Sequence, residues 1–198
     1  MALRSPRRRL TLAGLAILGA LALGAGSAWI AVRTPVFSPR VKVGAWTVNL
    51  LAGSTTADPY TRARVAVSGL LALDRSETFY FVASADDAGK PLSSACDYRI
   101  TGRSPPARWW SITAYGSDFF LIPNAAHRYS VTMTTARMNR DGSFSISASP
   151  NPQPEPWLPT GSANRVYLNL RLYNPAPELA AHPESLDAPQ IQPIGVCR

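Results

Sequence analysis

The longest apolar run lies near the start of the chain, where residues 10–32 carry no charged side chain, from Leu10 through Trp29 and Ile30 to Val32. About 20 apolar residues cross a bilayer core of roughly 30 Å, so this run predicts a transmembrane helix in contact with lipid. Arg4, Arg7, Arg8 and Arg9 stand just before it. They predict a cytoplasmic N-terminus, residues 1–9, and an exported chain beyond residue 32, placing the protein in the inner membrane with a periplasmic domain. A cleaved signal peptide is the alternative, because Gly26 and Ala28 are small and spaced like a cleavage site. The run outlasts the roughly 7–15 apolar residues of such a peptide, which favours an uncleaved anchor. Ala16, Ala20, Gly24 and Ala28 recur at every fourth position, a stripe that lets two helices approach closely and predicts self-association or a membrane partner. The same spacing also arises by accident in an alanine-rich helix facing lipid.

Beyond the run, residues 33–43 read as a proline-containing tether and residues 44–198 as one domain. One soluble helix is expected. Asp58 suits an N-cap and Pro59 the first helical position. Over 60–73, Ala63, Ala66, Val67, Leu70 and Leu71 recur near helical spacing as an apolar face, with Arg62 and Arg64 off it. Strands are predicted at 43–51, 77–83, 96–100, 109–115, 119–122, 129–135, 144–148, 166–173 and 191–196. The clearest is 166–173, with Val166, Leu168, Leu170 and Leu172 on one face and Tyr167, Asn169, Arg171 and Tyr173 on the other. Residues 86–91 read as a turn. Asn139-Arg140-Asp141-Gly142 reads as a hairpin turn between 129–135 and 144–148. The proline-rich stretches 151–159 and 175–189 read as irregular loops. Seven to nine short strands with one helix predict a mainly all-β fold, an antiparallel sandwich or jelly roll.

Composition changes this picture little. The formal charge is +8, yet five of the 20 basic residues flank the apolar run, leaving 15 basic against 12 acidic in the rest. No basic run with interleaved aromatics remains, so a nucleic-acid partner is not expected. Cys96 and Cys197 are the two cysteines. An exported domain with an even cysteine count predicts a bridge between them, and two free or separately buried thiols are the other possibility. His127 and His182 stand alone, no ligand spacing suggests a metal site, and no cofactor is expected.

A set of motifs runs along the domain: Asp58-Pro59-Tyr60-Thr61-Arg62-Ala63, Cys96-Asp97-Tyr98, Pro106-Ala107-Arg108-Trp109-Trp110-Ser111, Pro156-Trp157-Leu158-Pro159 and Leu170-Arg171-Leu172-Tyr173. In this order they resemble the bacterial family called domain of unknown function 1214, from about Trp46 to the end. The resemblance implies a jelly-roll-like β-sandwich, in a short membrane-anchored form of a domain that elsewhere follows a second domain of unknown function. It implies no activity and no catalytic residues.

Candidate chemistry is sparse. Ser111 lacks the Gly-x-Ser-x-Gly elbow of a serine nucleophile and sits in a predicted strand. Asp97 and Asp118 would serve a glycosidase only if they converged. Otherwise Asp118 stabilises a turn and Asp97 pairs with an arginine. Arg108-Trp109-Trp110 is the most suggestive cluster: one tryptophan enters the core, and the other offers a stacking surface with Arg108 supplying charge-assisted hydrogen bonds. Tyr115 and Arg171 are placed on the same patch, although Arg171 could instead pair with a buried aspartate. Trp157 is read as an interaction-loop residue or a plug at one end of the sandwich. The expected function is a non-catalytic binding or accessory module of the cell envelope, with an envelope protein or glycan as partner. The alternatives are a glycan-active hydrolase and a self-associating structural membrane protein.

Overall fold

A computed structural model describes residues 6–34, 39–67, 72–154 and 156–197. Helix α1 (Pro6–Arg33) begins four residues before the expected membrane segment, and its part Arg8–Arg33 is long and apolar enough to cross a membrane. Arg4 lies outside the described residues, as do residues 35–38 of the expected tether. The rest of that tether is not all linker, because β1 (Arg40–Val43) occupies its end. β1 turns at Gly44, whose φ of 59° suits glycine, into β2 (Trp46–Asn49), so the single strand expected at 43–51 is the second half of a hairpin.

Helix α2 (Pro59–Val67) starts as expected. The Asp58 carboxylate accepts hydrogen bonds from the Tyr60 and Thr61 amides at 2.9 and 3.1 Å and from the Thr61 hydroxyl at 2.5 Å. The predicted apolar face is not what it buries. Ala66 and Val67 are exposed, Thr61 is the buried residue, and Leu70 and Leu71 lie outside the described residues. The reason is position: α2 packs against the end of α1, and Arg64, expected to point away, meets the backbone carbonyls there. The helix is also shorter than read, since residues 72–74 are not helical.

Eight more strands follow: β3 (Thr78–Ala83), β4 (Asp97–Arg103), β5 (Ala107–Tyr115), β6 (Ser130–Thr132), β7 (Ser143–Ser149), β8 (Trp157–Pro159), β9 (Tyr167–Pro175) and β10 (Gln190–Ile194). They build a six-stranded sheet in the order β1-β2-β3-β9-β5-β6 and a four-stranded sheet in the order β10-β4-β7-β8. The fold is therefore mainly β, in two sheets. All pairings are antiparallel except β7–β8, which is parallel and corrects the purely antiparallel expectation. Trp157-Leu158-Pro159, read as loop, forms the short edge strand there. Proline is tolerated at such an edge because no neighbour needs its missing N–H.

Both sheets feed one apolar core. Phe81, Leu170, Ile112 and Trp110 come from the larger sheet, and Ile100, Ile146, Phe144 and Leu158 from the smaller. Trp110 and Phe144 meet across the interface with ring centroids 4.8 Å apart. Buried indole N–H groups find acceptors. Trp46 donates to the Pro189 carbonyl at 2.6 Å and Trp110 to the Ser104 hydroxyl at 3.1 Å.

Three local expectations change. Residues Asn139 to Gly142 form the predicted turn, but it links β6 and β7, which lie in different sheets, and closes no hairpin. Residues 119–122 make no strand beyond the single bridge Tyr115–Leu121. Phe119 is left-handed, with φ of 63°, and Phe119, Phe120 and Leu121 are exposed. The proline-rich 175–189 stretch holds α3 (Pro177–Ala181) and a 3-10 turn (Pro183–Ser185), and it buries Leu179 and Leu186. The Cys96–Cys197 disulfide is formed and ties the segment after β10 to the start of β4.

Candidate functional site: the outer face of the six-stranded sheet

Alternation on two central strands builds the site. On β9, Leu168, Leu170 and Leu172 enter the core, while Asn169, Arg171 and Tyr173 take the opposite face. On β5, Trp110, Ile112 and Ala114 enter the core, so Trp109, Ser111, Thr113 and Tyr115 face outward. The register then fixes the rows. Trp109 lies opposite Tyr173, Ser111 opposite Arg171, Thr113 opposite Asn169 and Tyr115 opposite Tyr167. From the other side, β3 sets Thr78 beside Tyr173, Tyr80 beside Arg171 and Val82 beside Asn169.

Arg171 is the centre of this face. Its guanidinium runs along the strand past Asn169, donates to the Tyr115 hydroxyl, and reaches the Thr113 hydroxyl at 3.5 Å. The same guanidinium carbon lies 5.7 Å from the Tyr115 ring centroid. Among the described residues no carboxylate pairs with it, so the aspartate partner considered from the sequence is replaced by hydroxyls. A guanidinium has five N–H donors. Two hydroxyl contacts leave donors and the full charge for a ligand. Beneath the large side chains, Thr78, Ser111, Thr113 and Asn169 are buried, and Asn169 Oδ1 and Thr78 Oγ1 have no hydrogen-bond partner among the described residues. At the ends of the face, Trp109 meets Tyr173 edge-on with centroids 5.2 Å apart, and Phe119 covers Tyr167 at the same separation.

Of the residues the sequence singled out, Trp109, Tyr115 and Arg171 share this face. Trp110 is the core tryptophan. Arg108 does not join Trp109: it lies on the other side of the strand and is exposed at the strand's start. Trp157 belongs to the other sheet. Its indole donates to the Ser149 carbonyl at 3.0 Å, and Arg128 sits 6.0 Å from its ring and donates to its carbonyl. Asp118 stabilises its own turn by accepting from the Phe120 amide at 3.0 Å. Among the described residues, Asp97 pairs with no strand arginine. It accepts a 2.6 Å hydrogen bond from the Ser149 hydroxyl on the four-stranded sheet, away from Arg171. Ser111 makes no hydrogen bond to a histidine among the described residues. His182 faces Glu184 at 3.2 Å, and His127 is exposed in a loop. Among the described residues, no three His, Cys, Asp or Glu side chains gather as a metal site. The Ala16, Ala20, Gly24 stripe of α1 is exposed, and Ala28 is half-buried near α2.

Tyr80, Tyr167, Tyr173 and Asn169 complete the face and were missed as site residues. Their signal was present in the period-2 alternation of β9. What the sequence withheld was which strands lie beside it.

No curated protein matches the chain. The crystal structure of the VPA0106 protein from Vibrio parahaemolyticus is similar, with a TM-score of 0.59 and 23% identity over 72% of this chain and 37% of that one. An uncharacterised protein from Burkholderia cenocepacia is 17% identical with a TM-score of 0.46, over 98% of this chain and 44% of that one. The chain thus spans less than half of either solved protein, and the likeness to the Vibrio protein speaks to fold alone. The profile of one family, described as a protein of unknown function (DUF1214), matches residues 77–177, from the start of β3 to the end of β9, and the chain belongs to that family.

Proposed function

We propose that this protein is a non-catalytic binding module of the cell envelope. It is held in the inner membrane by α1 and presents a jelly-roll-like sandwich to the periplasm. The observation that carries the reading is Arg171, a cation held by hydroxyls on an open sheet face among Trp109, Tyr173 and Tyr80. Such a face suits a ligand that offers an acceptor to the guanidinium and a flat or ring-shaped body to the aromatics, as an envelope glycan or a partner protein's surface does. The arginines before α1 support the orientation, and the disulfide fits an oxidising compartment. The chain's repeated passage between the two sheets supports the jelly-roll likeness.

The test is a photoreactive phenylalanine analogue at position 109 of the full chain, irradiated in intact cells. One discrete adduct is expected, with its yield reduced at least fivefold by Arg171→Ala. No adduct, or an adduct indifferent to Arg171→Ala, overturns the proposal.

A further inference from the structure

The other sheet carries a different site. β4 turns Arg99 outward beside Ser147 of β7, and the next row sets Thr101 beside Ser145. Arg99, Ser145 and Ser147, with Arg137, Asn139 and Gln153, line a groove of 660 Å3. Small-molecule sites commonly measure about 300–1,000 Å3, so the groove is of ligand size.

Its chemistry is specific. Arg99 and Arg137 make no side-chain hydrogen bond or ion pair among the described residues, and no described lining residue is acidic. Two unpaired guanidinium groups at one groove favour an oxyanion. Arg137 is also held at φ of 49°, an uncommon conformation for a non-glycine residue. Around the arginines stand groups suited to hydroxyls. The Ser145 and Ser147 hydroxyls have no partner among the described residues. Asn139 gives its amide N–H to the Ser143 hydroxyl at 2.9 Å, and Gln153 points its own toward the Ser149 hydroxyl at 3.5 Å, which leaves both side-chain carbonyls as acceptors. Pro154, Pro156 and Ile194 add apolar wall. Among the described residues, no aromatic ring lines the groove to stack on a nucleobase.

From this arrangement we infer that the groove binds an acidic saccharide: its carboxylate or phosphate between Arg99 and Arg137, its hydroxyls on Ser145, Ser147, Asn139 and Gln153, and its C–H face on the prolines. The site lies on the sheet opposite the Arg171 face and is independent of it.

The test is isothermal titration calorimetry on the full chain in phosphatidylcholine nanodiscs. The probes are glucuronate, glucose 6-phosphate, glucose and inorganic phosphate. Glucuronate or glucose 6-phosphate is expected to bind at least tenfold more tightly than glucose and than phosphate, and the tighter of the two names the oxyanion. Arg99→Gln and Arg137→Gln are each expected to weaken that binding at least tenfold, and Ser147→Ala about threefold, with Tm unchanged. Absence of binding by both charged sugars, phosphate binding as tightly as they do, or arginine variants that bind like wild type would each overturn the inference.

Discussion

Replacing Arg64 by alanine would test how the domain is held on the end of α1. The last carbonyls of a helix have no partner within it. Here Arg64 Nε donates to the Val32 carbonyl at 3.0 Å, and Nη2 donates to those of Ala31 and Thr34, both at 2.7 Å. The charge also sits at the negative end of the helix dipole, worth about 0.3–1 kcal/mol. A hydrogen bond to a charged group contributes about 1.5–3 kcal/mol. The three do not add, because water re-solvates half-exposed carbonyls once the side chain is gone. Relief of Arg40 subtracts a little more: its burial, and then the charge of Arg64, hold its pKa below the ordinary value. We therefore expect a net loss of about 2 kcal/mol, or roughly a 30-fold shift from docked toward undocked. The assay is electron–electron double resonance on the full chain in nanodiscs, with spin labels at Ser27→Cys and Asp141→Cys. The native background should give one narrow distance distribution and Arg64→Ala a broad one. Arg64→Lys should fall between, since one ammonium cannot serve three carbonyls at once. Tm should hardly move, because the core lies elsewhere. An unchanged distribution in Arg64→Ala would refute the reasoning and place the docking energy in other contacts.

Two further outcomes follow from the same structure. The Cys96–Cys197 bridge spans 101 residues, and disulfides of long loops typically contribute about 2–4 kcal/mol. At roughly 2–4 °C per kcal/mol for a domain of this size, the double serine variant should lose about 4–16 °C in Tm. A loss under 2 °C would mean that β10 is held by its own pairing with β4. The second outcome concerns acid. Asp58 has its pKa lowered from the ordinary 3.8, first by the Thr61 hydroxyl and then by the Thr61 amide. Its stabilising effect on α2 is present above the ordinary carboxylate range and is lost as pH falls through the lowered value. Amide exchange in α2 should accelerate there relative to the core strands. Asp58→Asn should flatten that pH dependence, and an equal pH response in both proteins would contradict it.

How much of this was legible in the sequence depends on whether a feature is local. The split of Trp109 from Trp110 follows from the two-residue period of a strand, and the Asp58 cap follows from backbone chemistry within one turn. Both appear in the structure as read. Arg64 could not be read this way. Its role is set by the end of a helix about 30 residues earlier in the chain, and the apolar spacing around it pointed to a buried face that α2 does not have. The Asn139–Gly142 turn shows the same limit: its local hydrogen bonds are those of a tight turn, and only the partners of β6 and β7 decide whether a hairpin closes. Phe119 and Phe120 argue from the other side. Two adjacent phenylalanines suggest a strand, but the left-handed backbone at Phe119 sends the chain away from the sheet and leaves Phe120 exposed. The candidate site follows suit. β9 alone named Tyr167, Asn169, Arg171 and Tyr173 as one face, and that much was visible. Placing β5 on one side of β9 and β3 on the other made the face a site, by bringing Tyr115 to Arg171 and Trp109 to Tyr173.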